Sequence, residues 1–252
     1  MVHMLKPGLA NTFSEYAETI FAPCIRSKLS TVSRLDVVWD RYDNCSLKST
    51  ARDHRGVGVH RHVTPSTPIP KNWHSFLAVN DNKTALFNYL FDILSHTSEQ
   101  TGKQLFVTKG VDVLSVPGEM QLNALSPCTH EEADTRLILH AQNAARNGFR
   151  VVVIKTVDTD VVVLALANYC HIPCEQLWIA FGTGQTFRYI PVHEIAGVLG
   201  QDKCVVLPAL YSITGCDSTS SFVGRGKKIC MENLALLSRG NSCICRIVCN
   251  AV

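Results

Sequence analysis

A chain of 252 residues with 46% hydrophobic content is long enough to bury a sizeable core, as one α/β domain or a domain with a small appendage. Its 24 basic and 21 acidic residues leave a formal charge of only +3, which excludes a strongly basic nucleic-acid coat and requires any polyanion site to be local. The opening MVHMLKPGLANTF lacks the apolar core of a secretion signal, and the most apolar stretch, residues 151–167, is interrupted by Lys155, Asp158 and Asp160, so an intracellular protein, nuclear or cytoplasmic, is expected without a membrane span.

Between Phe13 and Leu29 apolar residues return at helical spacing, with Pro23 as a break or kink. Residues 34–39 read as a strand ending at Asp40, and a polar, basic segment follows to about Arg61. The proline-rich residues 64–70 require an extended connection, after which residues 73–94 resume the helical pattern; residues 41–101 thus read as a basic and helical insertion. Residues 104–108 are expected as a second strand and residues 130–147 as a helix closed by Gly148. Residues 150–156 are apolar on both faces, which predicts a central parallel strand covered by helices. Residues 177–181 and 186–190 read as strands around the turn Gly182-Thr183-Gly184, with short helices over 192–199 and 204–213. The alternation favours an α/β fold with a mostly parallel sheet. Residues 239–252 change composition and read as an atypical, Cys-rich or truncated tail.

The sharpest local signal is Val157-Asp158-Thr159-Asp160, directly after the apolar strand, because ligands of parallel α/β sheets gather at the carboxyl ends of strands. Hard divalent cations want several oxygen ligands, so one Asp-x-Asp is insufficient, and an ordinary helix cap explains it equally well. Further carboxylates stand at Asp40, at Glu131-Glu132-Ala133-Asp134 where a helix begins, and at Asp217 in a glycine turn. Acidic residues at a helix start also have a plain electrostatic reason to be there.

Val38-Trp39-Asp40 is similar to a Val-Phe-Asp motif, Glu132-Ala133-Asp134 to Glu-Ala-Glu or Glu-Ala-Asp, Asp158-Thr159-Asp160 to Asp-x-Asp, and Gly215-Cys216-Asp217 to Gly-Cys-Asp or Gly-Ser-Asp. Their order over residues 35–237 resembles the flap-endonuclease (XPG-like) branch of the PIN-like nucleases. The resemblance implies a three-layer sandwich around a mostly parallel sheet over residues 1–238, with the helical insertion after Asp40 and a glycine-turn hairpin element at 214–238. It implies that Asp40, Glu132, Asp134, Asp158, Asp160 and Asp217 hold one or two Mg2+ or Mn2+ ions. The expected reaction is hydrolysis of phosphodiesters in DNA or RNA with branched or single-stranded ends. The family also carries a carboxylate at the end of its first strand, and no strand-end Asp precedes Leu35 here; Asp36 is the nearest substitute but lies inside its strand.

Lys48, Arg52 and Arg55 form a local basic stretch that otherwise reads as a solvated loop. By the resemblance Lys48 and Arg55 reach the scissile phosphate, with Arg52 as an alternate. Gly224, Gly226, Lys227 and Lys228 look like the glycine turn of a helix-hairpin-helix, whose amides and ammonium groups meet phosphates without reading sequence. Eleven dispersed cysteines point to reduced, mostly buried thiols, and Cys170-His171 with Cys174 lacks the paired knuckle of a zinc site. The competing reading is a catalytically inactive PIN-like module, derived from a mobile element, that binds nucleic acid or protein.

Overall fold

The computed structural model describes residues 2–42, 59–95, 102–118 and 122–214. The chain divides into two compact units, Met1–Arg136 and Leu137–Val252.

In the first unit a helix starts at α1 (Phe13–Tyr16), capped by Thr12, whose side chain accepts from the Glu15 amide at 3.2 Å. It widens into a π-helical segment, Ala17–Phe21, and continues as α2 (Ala22–Thr31). Pro23, expected to break or kink the helix, instead sits in the first turn of α2. The chain widens just where a proline has no N–H to offer the preceding turn, so the helix persists.

Strand β1 (Arg34–Val37) pairs parallel with β2 (Gln104–Lys109), from Arg34↔Gln104 to Val37↔Val107. A further strand, β3 (Asp112–Val116), folds back antiparallel on β2 across Gly110-Val111, with Gly110 at φ 56°. That hairpin was not expected from the sequence, although a glycine turn after an alternating run is its ordinary signature. The helical segment after the proline-rich connection is two helices, α3 (Trp73–Ala78) and α4 (Asn80–Ser95), interrupted at the extended Val79. Fully buried Asn82 explains how the interruption is tolerated. Its Oδ1 accepts from the Arg61 amide at 2.8 Å, and its Nδ2 donates to the Val59 and Phe76 carbonyls at 3.1 Å each. The core beneath is aromatic and aliphatic: Phe13, Tyr16, Phe21, Leu86 and Leu90 are completely buried, and Trp39 stacks on Phe87 at 4.5 Å.

Helix α5 (Ala133–Arg146) carries the division between the units. Arg136 is 1% exposed; its Nη1 donates to the Gly110 carbonyl at 2.7 Å, while Nε and Nη2 meet no acceptor among the described residues.

In the second unit β4 (Val151–Thr156) pairs parallel with β5 (Gln176–Phe181), and β5 pairs antiparallel with β6 (Arg188–Pro191). Helices α6 (Thr159–Asn168), α7 (Val192–Leu199) and α8 (Gln201–Ile213) complete it. Gly182 has φ 83°, and a Cβ there would meet the Thr186 carbonyl oxygen at 2.7 Å, so the β5–β6 turn requires glycine. Val152, Ile154, Leu177 and Ile179 face the core with Val161, Ala165 and Val192. The opposite face of β4 corrects an expectation: Val151 is 54% and Val153 53% exposed, so the strand is covered on one side only.

The α/β class holds. Where one mostly parallel sheet was expected, the described strands form two three-stranded mixed sheets, each a parallel pair extended by an antiparallel strand. Among the described residues no helix is long and apolar enough to cross a membrane.

Candidate acidic site

Asp40 follows β1, half-buried, and ties that end of the strand to the start of α5. Its Oδ1 accepts from the Ala133 amide at 2.9 Å and its Oδ2 from the Tyr42 hydroxyl at 3.1 Å. The next residue repeats the stitch: the Arg41 amide donates to the Glu131 carbonyl at 2.7 Å and its Nη2 to the Thr129 carbonyl at 3.0 Å. Because Ala133 stands between them in sequence, Asp40 is brought beside the segment carrying Glu132 and Asp134. The exposed amides at a helix start favour acidic groups electrostatically, which offsets part of their mutual repulsion.

Asp158 and Asp160 are held by a second device of the same kind. The Asp158 amide donates to Thr156 Oγ1 at 3.0 Å, and Asp158 Oδ1 accepts from the Asp160 amide at 2.9 Å, capping α6. Between the two carboxylates, the Thr159 hydroxyl meets the Tyr211 hydroxyl of α8 at 2.7 Å. The turn at the carboxyl end of the parallel strand is therefore fixed by its own backbone and by a helix far along the chain. Asp158 is exposed and Asp160 half-buried, so their carboxylates are reachable from solvent.

Asp36, the nearest substitute for the expected first-strand carboxylate, is already engaged. Arg34 donates to both of its oxygens, Nε to Oδ1 and Nη2 to Oδ2 at 2.8 Å each, and the same guanidinium lies 3.9 Å from the Phe106 ring centre. Asp36 is thereby neutralised inside a structural ion pair.

Asp217, Lys48, Arg52, Arg55, Gly224, Gly226, Lys227 and Lys228 lie outside the described residues. All the carboxylates of the acidic set are hard oxygen donors of the kind Mg2+ and Mn2+ prefer. Among the described residues, however, no three His, Cys, Asp or Glu side chains converge into a metal-holding group. Cys24, Cys128, Cys170, Cys174 and Cys204 are free thiols, and burial pushes the Cys174 and Cys204 thiols up.

Three supporting residues escaped the sequence reading. Thr156, two positions before Asp158, is a hydroxyl–backbone turn signal that was available locally. Tyr42 carries a weaker hint as a neighbour of Asp40, whereas nothing in the sequence links Tyr211 to Thr159 across 52 positions.

Comparison of the chain with protein-family models, with curated proteins and with solved structures gives no match.

Proposed function

We propose that this chain is a PIN-like, flap-endonuclease-like nuclease domain that hydrolyses phosphodiesters in branched or single-stranded DNA or RNA, with Mg2+ or Mn2+ as cofactor. The observation that carries the reading is the pinned Asp158-Thr159-Asp160 turn at the carboxyl end of a parallel strand, where ligands of α/β sheets gather. The helix that reaches this turn through Tyr211 ends at Ile213, four residues before Asp217, another member of the acidic set. A bound divalent ion would polarise the phosphodiester and acidify the attacking water. The chain's own part is to keep Asp158 and Asp160 oriented, which the amide cap and the Thr159–Tyr211 contact do before any substrate arrives.

A second reading, an inactive module that only binds nucleic acid, is favoured by one feature: Arg34 neutralises Asp36, the nearest substitute for the expected first-strand carboxylate. Labelled flap, gapped, blunt and single-stranded substrates, incubated with Mg2+, Mn2+ or chelator, distinguish the two. Slow cleavage that needs the metal and is lost in Asp158→Ala and Asp160→Ala is the expected result. Binding without cleavage under every condition supports the inactive module, and absence of both binding and cleavage defeats the nucleic-acid reading.

A further inference from the structure

The β4–β5–β6 sheet has one face packed on its helices and one face open, and the open face has an unusual composition. Register and alternation put Val151, Val153 and Lys155 of β4 on the same side as Trp178 and Ala180 of β5 and Tyr189 of β6. Phe187, two positions before Tyr189, joins them through a ring contact at 5.2 Å. Tyr189 is 59% and Phe187 40% exposed, while Trp178 is half-buried. The three rings meet nearly at right angles, Phe187 to Tyr189 at 81° and Tyr189 to Trp178 at 90°. In each perpendicular contact the edge of one ring meets one face of its neighbour, so accessible ring face remains chiefly at the more exposed Tyr189 and Phe187.

We propose that this face is a stacking platform for single-stranded nucleic acid; the inference rests on the nucleic-acid reading above and adds where the strand lies. Unstacked bases gain from aromatic faces whatever their sequence, and a cation beside the rings meets the backbone phosphates. Lys155 supplies that cation: it is exposed, lies on the open face, and makes no ion pair among the described residues. Glu175, just before β5, is bound through both oxygens by Arg150, and His193 packs against Trp178 at 5.0 Å. A duplex keeps its base faces covered and has nothing to offer these rings. A second copy of the chain is the other candidate for an apolar sheet face, and its signature, self-association through Tyr189, differs from nucleic-acid binding.

The test uses the full chain, a labelled twelve-residue oligo(dT) and the matching duplex, with binding followed by anisotropy and by tryptophan emission. Trp39 and Trp73 are buried, so stacking beside Trp178 should quench a distinct part of the emission. The expected result is that Tyr189→Ala and Phe187→Ala each weaken single-strand binding about 5- to 100-fold at an unchanged thermal midpoint, while Tyr189→Phe binds as the native chain does. Trp178→Phe should remove the quench, and Lys155→Ala should flatten the salt dependence by about one contact. Asp158→Ala, assayed in parallel, should abolish cleavage and leave this binding in place. If the native chain binds oligo(dT) but neither Tyr189→Ala nor Phe187→Ala changes it, the platform is overturned and the nucleic-acid reading stands. If the native chain binds no nucleic acid, both fall. If Tyr189→Ala dissolves a self-associated species and leaves nucleic-acid binding unchanged, the face is an interface between copies and the platform is overturned.

Discussion

Asp40 and Asp158 each hold a helix start through one carboxylate oxygen, at the Ala133 and Asp160 amides. Loss of such a cap costs about 1 kcal/mol, whereas asparagine keeps the acceptor and loses only the charge. Asp158→Ala should therefore lower the urea midpoint by an amount equivalent to about 1 kcal/mol, and Asp158→Asn by much less. Under the proposed function both substitutions should abolish cleavage, so the asparagine variant separates the charge from the cap. The thiols give a second residue-scale prediction. Cys170 is exposed, while burial keeps Cys204 protonated at neutral pH and slow to react. Brief alkylation followed by peptide mapping should label Cys170 in the folded chain and reach Cys128 and Cys204 only after unfolding. Equal labelling of all three without denaturant would contradict the burial described.

Among the elements, the break between α3 and α4 depends most on a single side chain. Asn82 satisfies three backbone groups from inside the core, so Asn82→Ala leaves buried donors and acceptors without partners and should cost about 2–4 kcal/mol. Chemical unfolding measures this, and amides near Arg61 should lose hydrogen-exchange protection in the same variant. At the start of β4 and β5 the expected effect is small and depends on pH. The hydrogen bond from Arg150 holds the Glu175 carboxyl below its ordinary value, so the pair's stabilisation is present above the unfolded-state pKa and fades as pH falls through the lowered one. Wild type and Glu175→Gln should differ slightly above about pH 5 and converge in acid, a contrast kept small by full solvent exposure. The elements that were legible carry their own punctuation: α7 occupies Val192–Leu199 as its spacing predicts, and Gly200 ends it. The open face of β4 was not legible, because Val151-Val152-Val153-Ile154 lacks a polar alternation to mark which side meets solvent. Asn82 was equally silent, since a polar residue in an amphipathic helix ordinarily marks the wet face.

For the whole molecule, a formal charge of +3 makes non-specific attraction to nucleic acid weak, so affinity must come from a few local contacts. If Lys48, Arg55, Lys227 and Lys228 each meet a phosphate, the logarithm of single-strand affinity should fall with the logarithm of salt at a slope of about −3. Replacing them should weaken all sequences alike, and a salt-independent affinity would contradict the assignment. The candidate site was legible as far as its parts are local. Strand-end position marked Asp40 and Asp158, and helix-start position marked Glu132 and Asp134. The Thr159–Tyr211 contact and the Asp36–Arg34 pair were not, because each depends on which side chains folding brings together or already occupies.

Arg136 is a guanidinium at 1% exposure whose Nη1 meets the Gly110 carbonyl while, among the described residues, Nε and Nη2 find no acceptor. Burial disfavours its charged form, and a methionine of similar volume would relieve that desolvation while leaving the Gly110 carbonyl without its donor. The position thus sets the cost of burying a charge against the hydrogen bond that the charge makes. In a library of random variants selected for thermal survival alone, loss of arginine from position 136 would show that desolvation outweighs the hydrogen bond, and its retention the reverse.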